Sequence, residues 1–211
     1  MPFPIVIFEF VVLIFSAVLH EVAHGYAAEK LGDPTARDAG RLTLNPLKHL
    51  DPFGSVLMPL LLYIGSGGAF FFAAAKPVPY NPRNLTDPRS GSAKIALAGP
   101  GTNLLLAAIF GIAIRILSYA AVPDLLLSLF AIIVYLNIVL MVFNLIPIPP
   151  LDGSRVLFAL LPPSRATFRA MFFLERYGLI LVLLFAFFGF QYLIPLLQWL
   201  FVALTGQALP F

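Results

Sequence analysis

Phe8–Leu31 reads FEFVVLIFSAVLHEVAHGYAAEKL, and within it His20-Glu21-Val22-Ala23-His24 decides how the rest of the chain is read. Two histidines four apart, with a glutamate after the first, form the H-E-x-x-H pattern. On an α-helix, residues i and i+4 stand one above the other on one face. Both imidazoles can then reach one tetrahedral metal ion, with Glu21 beside it where an attacking water would sit. The setting is unusual. Between Pro4 and Leu19 the single ionisable residue is Glu9, so the motif continues an apolar run of membrane-spanning length. Ionisable groups in such a run are costly and mark function by default. The bland alternative is a chance match whose histidines are merely hydrogen-bonded in a bundle. Two of the chain's three histidines falling in this motif argue against it.

Composition agrees with a membrane setting. Of 211 residues, 60% are hydrophobic and 11% charged, where a soluble domain carries about 25% charged. The mean hydropathy is +0.95. The N-terminus lacks the basic region of a cleavable signal peptide, so the first apolar run reads as a retained span. Cysteine is absent, which excludes disulfides, thiolate ligands and a cysteine nucleophile. A formal charge of +3 says little about nucleic acid, and no nucleic-acid partner is expected. The positions of the basic residues matter more than their sum.

The fold expected is an all-α polytopic membrane protein. Four spans are read: Pro4 to Lys30, Ile95 to Ser118, Leu125 to Ile146, and Gly178 to Leu204. Gly32-Asp33-Pro34 stops the first. The alternation in RLTLNP, residues 41–46, allows a short strand. Residues 52–75 are apolar but broken by Gly65-Ser66-Gly67-Gly68, and KPVPYNPRN, residues 76–84, is proline-rich and therefore extended. Neither an internal repeat nor a linker is visible. The chain therefore reads as a single domain over 1–211, with its catalytic core at about 4–163 and an extra C-terminal span at about 178–204.

Basic residues fix the orientation. If the basic loops face the cytoplasm, twelve of the thirteen Lys and Arg residues lie on that side, with Arg115 alone near the far end. That requires residues 52–75 to re-enter and return to the side they left, which is tolerated where protein or water covers the backbone. The metal motif selects the same topology. With a re-entrant 52–75, H-E-x-x-H and Asp152 fall on one side of the membrane; with a crossing 52–75, about 30 Å would separate them.

A catalytic zinc needs three protein ligands and an open position. Without cysteine, the third ligand is sought among His49 and the carboxylates. Asp152 follows Pro147-Ile148-Pro149-Pro150-Leu151 at the end of a span and precedes Gly153, which permits close backbone approach. Its alternative role is to cap the following helix. His49 lies in a basic loop and reads as an ordinary interfacial histidine. Asn103, one turn inside the second span, either makes an interhelical hydrogen bond or belongs to a substrate groove. Asn144 either contacts substrate or bonds the Pro147 to Pro150 turn. Phe70-Phe71-Phe72 reads most simply as lipid-facing or core packing, with a gate as the lesser alternative.

HEVAH in a spanning helix, AGPGTN opening a later one and NLIPIPPLDGSRVL closing another together resemble the site-2 protease family of intramembrane zinc metalloproteases. RLTLNPLKHLDPFGS and KPVPYNPRNL look like compact prokaryotic members without a PDZ domain. The resemblance covers Phe8 to about Pro163. It implies that His20, His24 and Asp152 hold one catalytic Zn2+ and that Glu21 is the catalytic base. It implies that Asn144 orients substrate or the oxyanion, and that residues 76–84 form a small membrane-associated strand region presenting the substrate. The implied substrate is a single-span membrane protein, such as an anti-sigma factor or a membrane-tethered regulator. The implied location is a prokaryotic cell membrane, with the site toward the cytoplasm. His20 stands roughly 16 Å from the helix end near Leu31, so a polar cleft must lead to it. Two other readings compete: a non-proteolytic metal carrier or sensor, and an inactive interaction protein. A carrier has no use for the spare carboxylate of Glu21, and an inactive relative would show a broken motif.

Overall fold

The computed structural model describes residues 3–49, Ile64 and 76–209. Helix α1, Phe3–Lys30, carries the metal motif without interruption. It stops at Gly32, whose positive φ of 100° admits glycine readily, and at Pro34. A single turn, α2 (Thr35–Asp38), follows.

Residues 41–46 do not form the expected strand. The Thr43 hydroxyl accepts from Asn45 N–H, and the Asn45 side chain accepts from Leu47 N–H at the head of a 3-10 turn, Pro46–Lys48. Local side-chain bonds thus take backbone donors that a ladder would need. Residues 76–81 are irregular as well, and Pro77, Pro79 and Pro82 offer no N–H. Among the described residues there is no strand, so the expected strand region is not found. The expected re-entrant stretch, 52–75, and the Phe70–Phe72 run lie outside the described residues. The residues flanking 50–75 are joined to each other: Lys76 N–H donates to His49 C=O at 2.8 Å.

Helix α3, Pro88–Leu117, begins about two turns earlier than the apolar pattern suggests. The cause is an N-cap: Asp87 accepts from the N–H groups of Arg89 and Ser90, and Pro88 occupies the first helical position. Then come α4 (Asp124–Asn144), α5 (Asp152–Leu160) and α6 (Arg165–Leu184). A π turn, Phe185–Gly189, and a 3-10 turn, Phe190–Leu193, join α6 to α7, Ile194–Thr205. Four helical stretches among the described residues are long and apolar enough to cross a membrane: α1, α3, α4 and the composite Arg165–Thr205. The chain is an integral membrane protein built of helices.

Helix α3 sits at the centre and packs against α1, α4, α5 and α7. Its buried face runs Gly99, Asn103, Ala107, Gly111, four residues apart. Lipid tails are as apolar as leucine, so helices in a bilayer associate through close packing and interhelical hydrogen bonds. A seam of small residues supplies the first and Asn103 the second. Above this seam, Leu197 and Phe201 of α7 are 1% exposed and pack with Ile114, Val134 and Ile138. The C-terminal span is therefore part of the packed bundle.

Candidate metal centre

The helical register of α1 places His20 and His24 on the face turned toward α3, and both are buried. Their Nε2 atoms stand 3.0 Å apart. Asp152 Oδ2 lies 3.1 Å from each. Four ligands at about 2.0–2.2 Å around a tetrahedral zinc are separated by roughly 3.3–3.5 Å, so the three donors fit the face of one such tetrahedron with a fourth position open. His49 is elsewhere. It is buried rather than in a wet loop, and its Nε2 bonds Thr43 C=O at 2.8 Å.

The chemistry of the donor set also fits a cation. His24 Nδ1 donates to Ile95 C=O at 2.7 Å, and His20 Nδ1 faces Asn103 Oδ1 at 2.6 Å. A neutral imidazole with its proton on Nδ1 has a bare lone pair at Nε2. Two bare lone pairs and a carboxylate oxygen then converge on one point inside apolar protein. Such an arrangement is repulsive unless a cation, or added protons, reconciles it. These three residues form the one His/Asp/Glu group with metal-binding geometry among the described residues.

Local backbone builds the pocket. Asp152 opens α5, but its side chain makes no capping bond and turns to the histidines instead. The capping alternative is thereby set aside. The chain reaches this position through a tight turn with a cis Pro149–Pro150 bond. At Gly153, a Cβ would run into the carbonyls of Leu145 and Ile146, so glycine alone lets α5 start this close to the end of α4. On the opposite wall, a Cβ on Gly99 would stand 2.5 Å from Nε2 of both histidines. Pro100, next to it, withholds the N–H that Ala96 C=O would receive in a regular helix.

Glu21 lies beside the triad without joining it, and its Oε2 accepts from Val78 N–H at 2.8 Å. A cavity of about 80 Å³ opens here, lined by His20, Glu21, His24, Asp152, Asn144 and Arg155 among others. It is large enough for several water molecules. Asn144 lines the cavity, and its amide nitrogen is held by Leu140 C=O of its own helix at 2.9 Å, not by the proline turn. Asn103 is fully buried and does not line the cavity; its partners are His20 and Asn137. The interhelical bond is what the structure shows for it.

Sequence reasoning missed several participants. Asn137, fully buried in α4, hid as one polar residue in an apolar span, though polar groups are expensive there. Gly99 read as helix punctuation. Tyr80 and Arg155 border the cavity, with the Arg155 guanidinium 5.0 Å from the Tyr80 ring centre; both lie inside quoted motifs, but neither was singled out.

The comparisons with known proteins agree with this geometry. Residues 112–185, which include Asn144 and Asp152, match the model of Peptidase family M50. The chain is 42% identical over 181 residues to "Putative zinc metalloprotease YwhC" of Bacillus subtilis, covering 82% of this chain and 77% of that protein. It is 34% identical over 168 residues to "Putative zinc metalloprotease Rip2" of Mycobacterium tuberculosis, covering 80% of this chain. Of that longer relative the chain spans 62%. A protein of Methanocaldococcus jannaschii, "Putative zinc metalloprotease MJ0611", is 42% identical over 91 residues, which cover 43% of this chain. No solved structure gives a significant match. With a relative of this identity matched over most of both chains, and a His-His-Asp group set among apolar helices, the chain belongs to peptidase family M50, the site-2 protease family of membrane metalloproteases.

Proposed function

We propose that the protein is an intramembrane zinc endopeptidase. It hydrolyses a peptide bond in or near the transmembrane segment of a single-span substrate, such as a membrane-tethered regulator. The observation that carries this reading is Glu21, a carboxylate that shares a water-sized cavity with three convergent metal donors yet is not one of them. A carrier needs ligands; a hydrolase also needs a base.

In this reading, His20, His24 and Asp152 hold the ion. A zinc ion there would polarise the scissile carbonyl and make water a stronger acid. Glu21 takes the proton of the attacking water and returns it to the leaving nitrogen. Val78 N–H fixes the orientation of the Glu21 carboxylate. Asn144 and Arg155, both at the cavity wall, hold the substrate carbonyls in this reading. A helical substrate keeps its carbonyls bonded internally, so it must unwind before it enters, and segments rich in helix-weakening residues are preferred. The catalytic core is assigned to residues 4–163 of one domain, and the site opens toward the cytoplasm of a prokaryotic cell. The clustering of Lys and Arg in the loops at that end of the bundle supports this placement.

The test is cleavage of a tagged single-span substrate in detergent by the wild type and by Glu21→Gln, with bound zinc measured in both. We expect the variant to keep its zinc and lose activity by a factor of about 10² to 10⁴, the usual contribution of a positioned acid–base group. If both bind zinc and neither cuts any of a panel of helix-destabilised substrates, the non-proteolytic metal protein becomes the better reading.

A further inference from the structure

A chain of buried amides leads away from the metal centre into the membrane interior. His20 Nδ1 meets Asn103 Oδ1 at 2.6 Å. Asn103 Nδ2 donates to Asn137 Oδ1 at 3.0 Å. Asn137 Nδ2 donates to Ile133 C=O at 2.9 Å and to Ser16 Oγ at 3.0 Å. Asn103 and Asn137 are both 0% exposed and Ser16 is 4% exposed. Helices α1, α3 and α4 each contribute, so the chain ties together three of the four spans.

The direction of the chain follows from its far end. A backbone carbonyl can accept a hydrogen bond and cannot donate one. Ile133 C=O therefore requires the NH₂ edge of Asn137, which turns the Asn137 oxygen toward Asn103. That oxygen in turn requires the NH₂ edge of Asn103, which turns the Asn103 oxygen toward His20. An oxygen facing Nδ1 requires a proton there, and the neutral ring then has its lone pair on Nε2. No hydrogen need be observed for the deduction. Reversing the amides would set two oxygens against each other at Ile133 and an NH₂ group against Nδ1. The His20 proton would then sit on Nε2, where a metal must bind.

We infer that Asn137 is a positioning residue that holds a proton on His20 Nδ1 through Asn103, with Ile133 C=O as the anchor, so that Nε2 is the nitrogen turned to the metal position. This rests on His20 being a metal ligand, as proposed above. His24 needs no such relay, because its Nδ1 bonds a backbone carbonyl, Ile95 C=O, directly. The asymmetry has a structural reason: the α3 carbonyl opposite His24 is within reach, whereas His20 meets the Asn103 side chain.

Two variants separate this role from mere packing. Asn137→Leu keeps the volume near the original and removes the group that orients Asn103. Asn103→Asp in the Asn137→Leu background supplies a carboxylate, which accepts from His20 Nδ1 whichever way it is turned. The full chain in detergent is titrated with Zn2+ against a competing chelator. The ¹⁵N spectrum of histidine-labelled, metal-free protein is recorded in parallel, since neutral-ring shifts tell a protonated nitrogen from a bare one. Three histidines keep that spectrum simple.

We expect Asn137→Leu to weaken zinc binding by about 10–100-fold, the usual effect of losing an outer partner of a ligating histidine. The His20 signal should change from Nδ1–H to a mixture. We expect the double variant to recover most of the affinity and the Nδ1–H signal. Ser16→Ala, which leaves the anchor in place, should stay within about threefold of wild type, below the loss expected for an outer partner. The inference is overturned if Asn137→Leu leaves affinity and tautomer unchanged, or if the double variant is no better than Asn137→Leu alone. Should Asn137→Leu fail to fold, the decision passes to Asn103→Leu, in which a metal-free ring still fixed as Nδ1–H overturns the relay. A wild type that shows Nδ1–H at His20 yet binds no zinc would leave the relay standing and remove the ligand reading.

Discussion

At the scale of single residues, the site depends as much on absent atoms as on ligands. Gly99 is the sharpest case, because a methyl group there would lie 2.5 Å from both histidine Nε2 atoms. Alanine in a helix interior is otherwise favoured over glycine by about 0.5–1 kcal/mol. The clash is present without metal, and overpacking a tight site costs about 1–3 kcal/mol, more than the helix preference returns. We therefore expect Gly99→Ala to melt below wild type even when metal-free. Its zinc affinity should fall by more than the roughly tenfold cost of losing one outer partner. Melting curves with and without zinc check both halves, and a variant that binds zinc normally would show that the rings retreat at no cost. The convergence of His20, His24 and Asp152 was legible because the histidines sit at i and i+4 and the aspartate stands in a proline-broken turn at the end of a span. Gly99 and Asn137 were not legible. A glycine signals a turn or a close approach alike, and an asparagine in an apolar span does not name its partner.

At the scale of elements, the segment bearing Val78 is held over the site by a buried carboxylate in a loop. Asp33, just beyond α1, accepts from the Thr35 hydroxyl and N–H, from Asn81 N–H at 2.6 Å and from Asn84 Nδ2 at 2.7 Å. Arg41 Nη2 adds a bond to Lys76 C=O at 2.7 Å. Burial alone pushes the Asp33 carboxyl up, but these donors outweigh it, so its pKa lies below the ordinary 3.8. The unfolded chain then takes up the proton at higher pH than the folded one, and protonation favours unfolding. The stabilisation is complete above the ordinary value and is lost as pH falls through the folded one. We expect wild type to lose stability below about pH 4 with a steeper slope than Asp33→Asn. Limited proteolysis of residues 76–84 across that range would report the same release locally, and equal slopes would remove Asp33 from the latch. The first three spans were legible to within about two turns, because apolar runs of spanning length leave little choice, whereas the last begins at Arg165, well before the expected Gly178, because its first turns are polar. The loops were not legible, because RLTLNP alternates like a strand while Thr43 and Asn45 spend its donors on local turns.

At the scale of the whole molecule, the site's position across the bilayer follows from which ends of the helices share a side. His20 lies ten residues before Lys30, about 15 Å along α1. Asp152 opens α5 just after α4, and the two meet, so the end of α1 and the end of α4 face the same way. The link between α3 and α4, residues 118–123, must then face the other side. That link holds no Lys or Arg, whereas the stretches from Lys30 to Lys94 and from Arg155 to Arg176 hold all of them but Arg115. If positive loops stay in the cytoplasm, Thr86 is inside and Ala120 outside. The chain has no cysteine, so each single substitution adds the one thiol in the protein. Thr86 and Ala120 are both exposed and outside the regular helices, so labels can reach them. We expect a membrane-impermeant maleimide to label Ala120→Cys in intact bacterial cells, and Thr86→Cys only after the membrane is opened. The reverse pattern would place the catalytic end outside. Its water, and its access to the cleaved product, would then come from the other compartment.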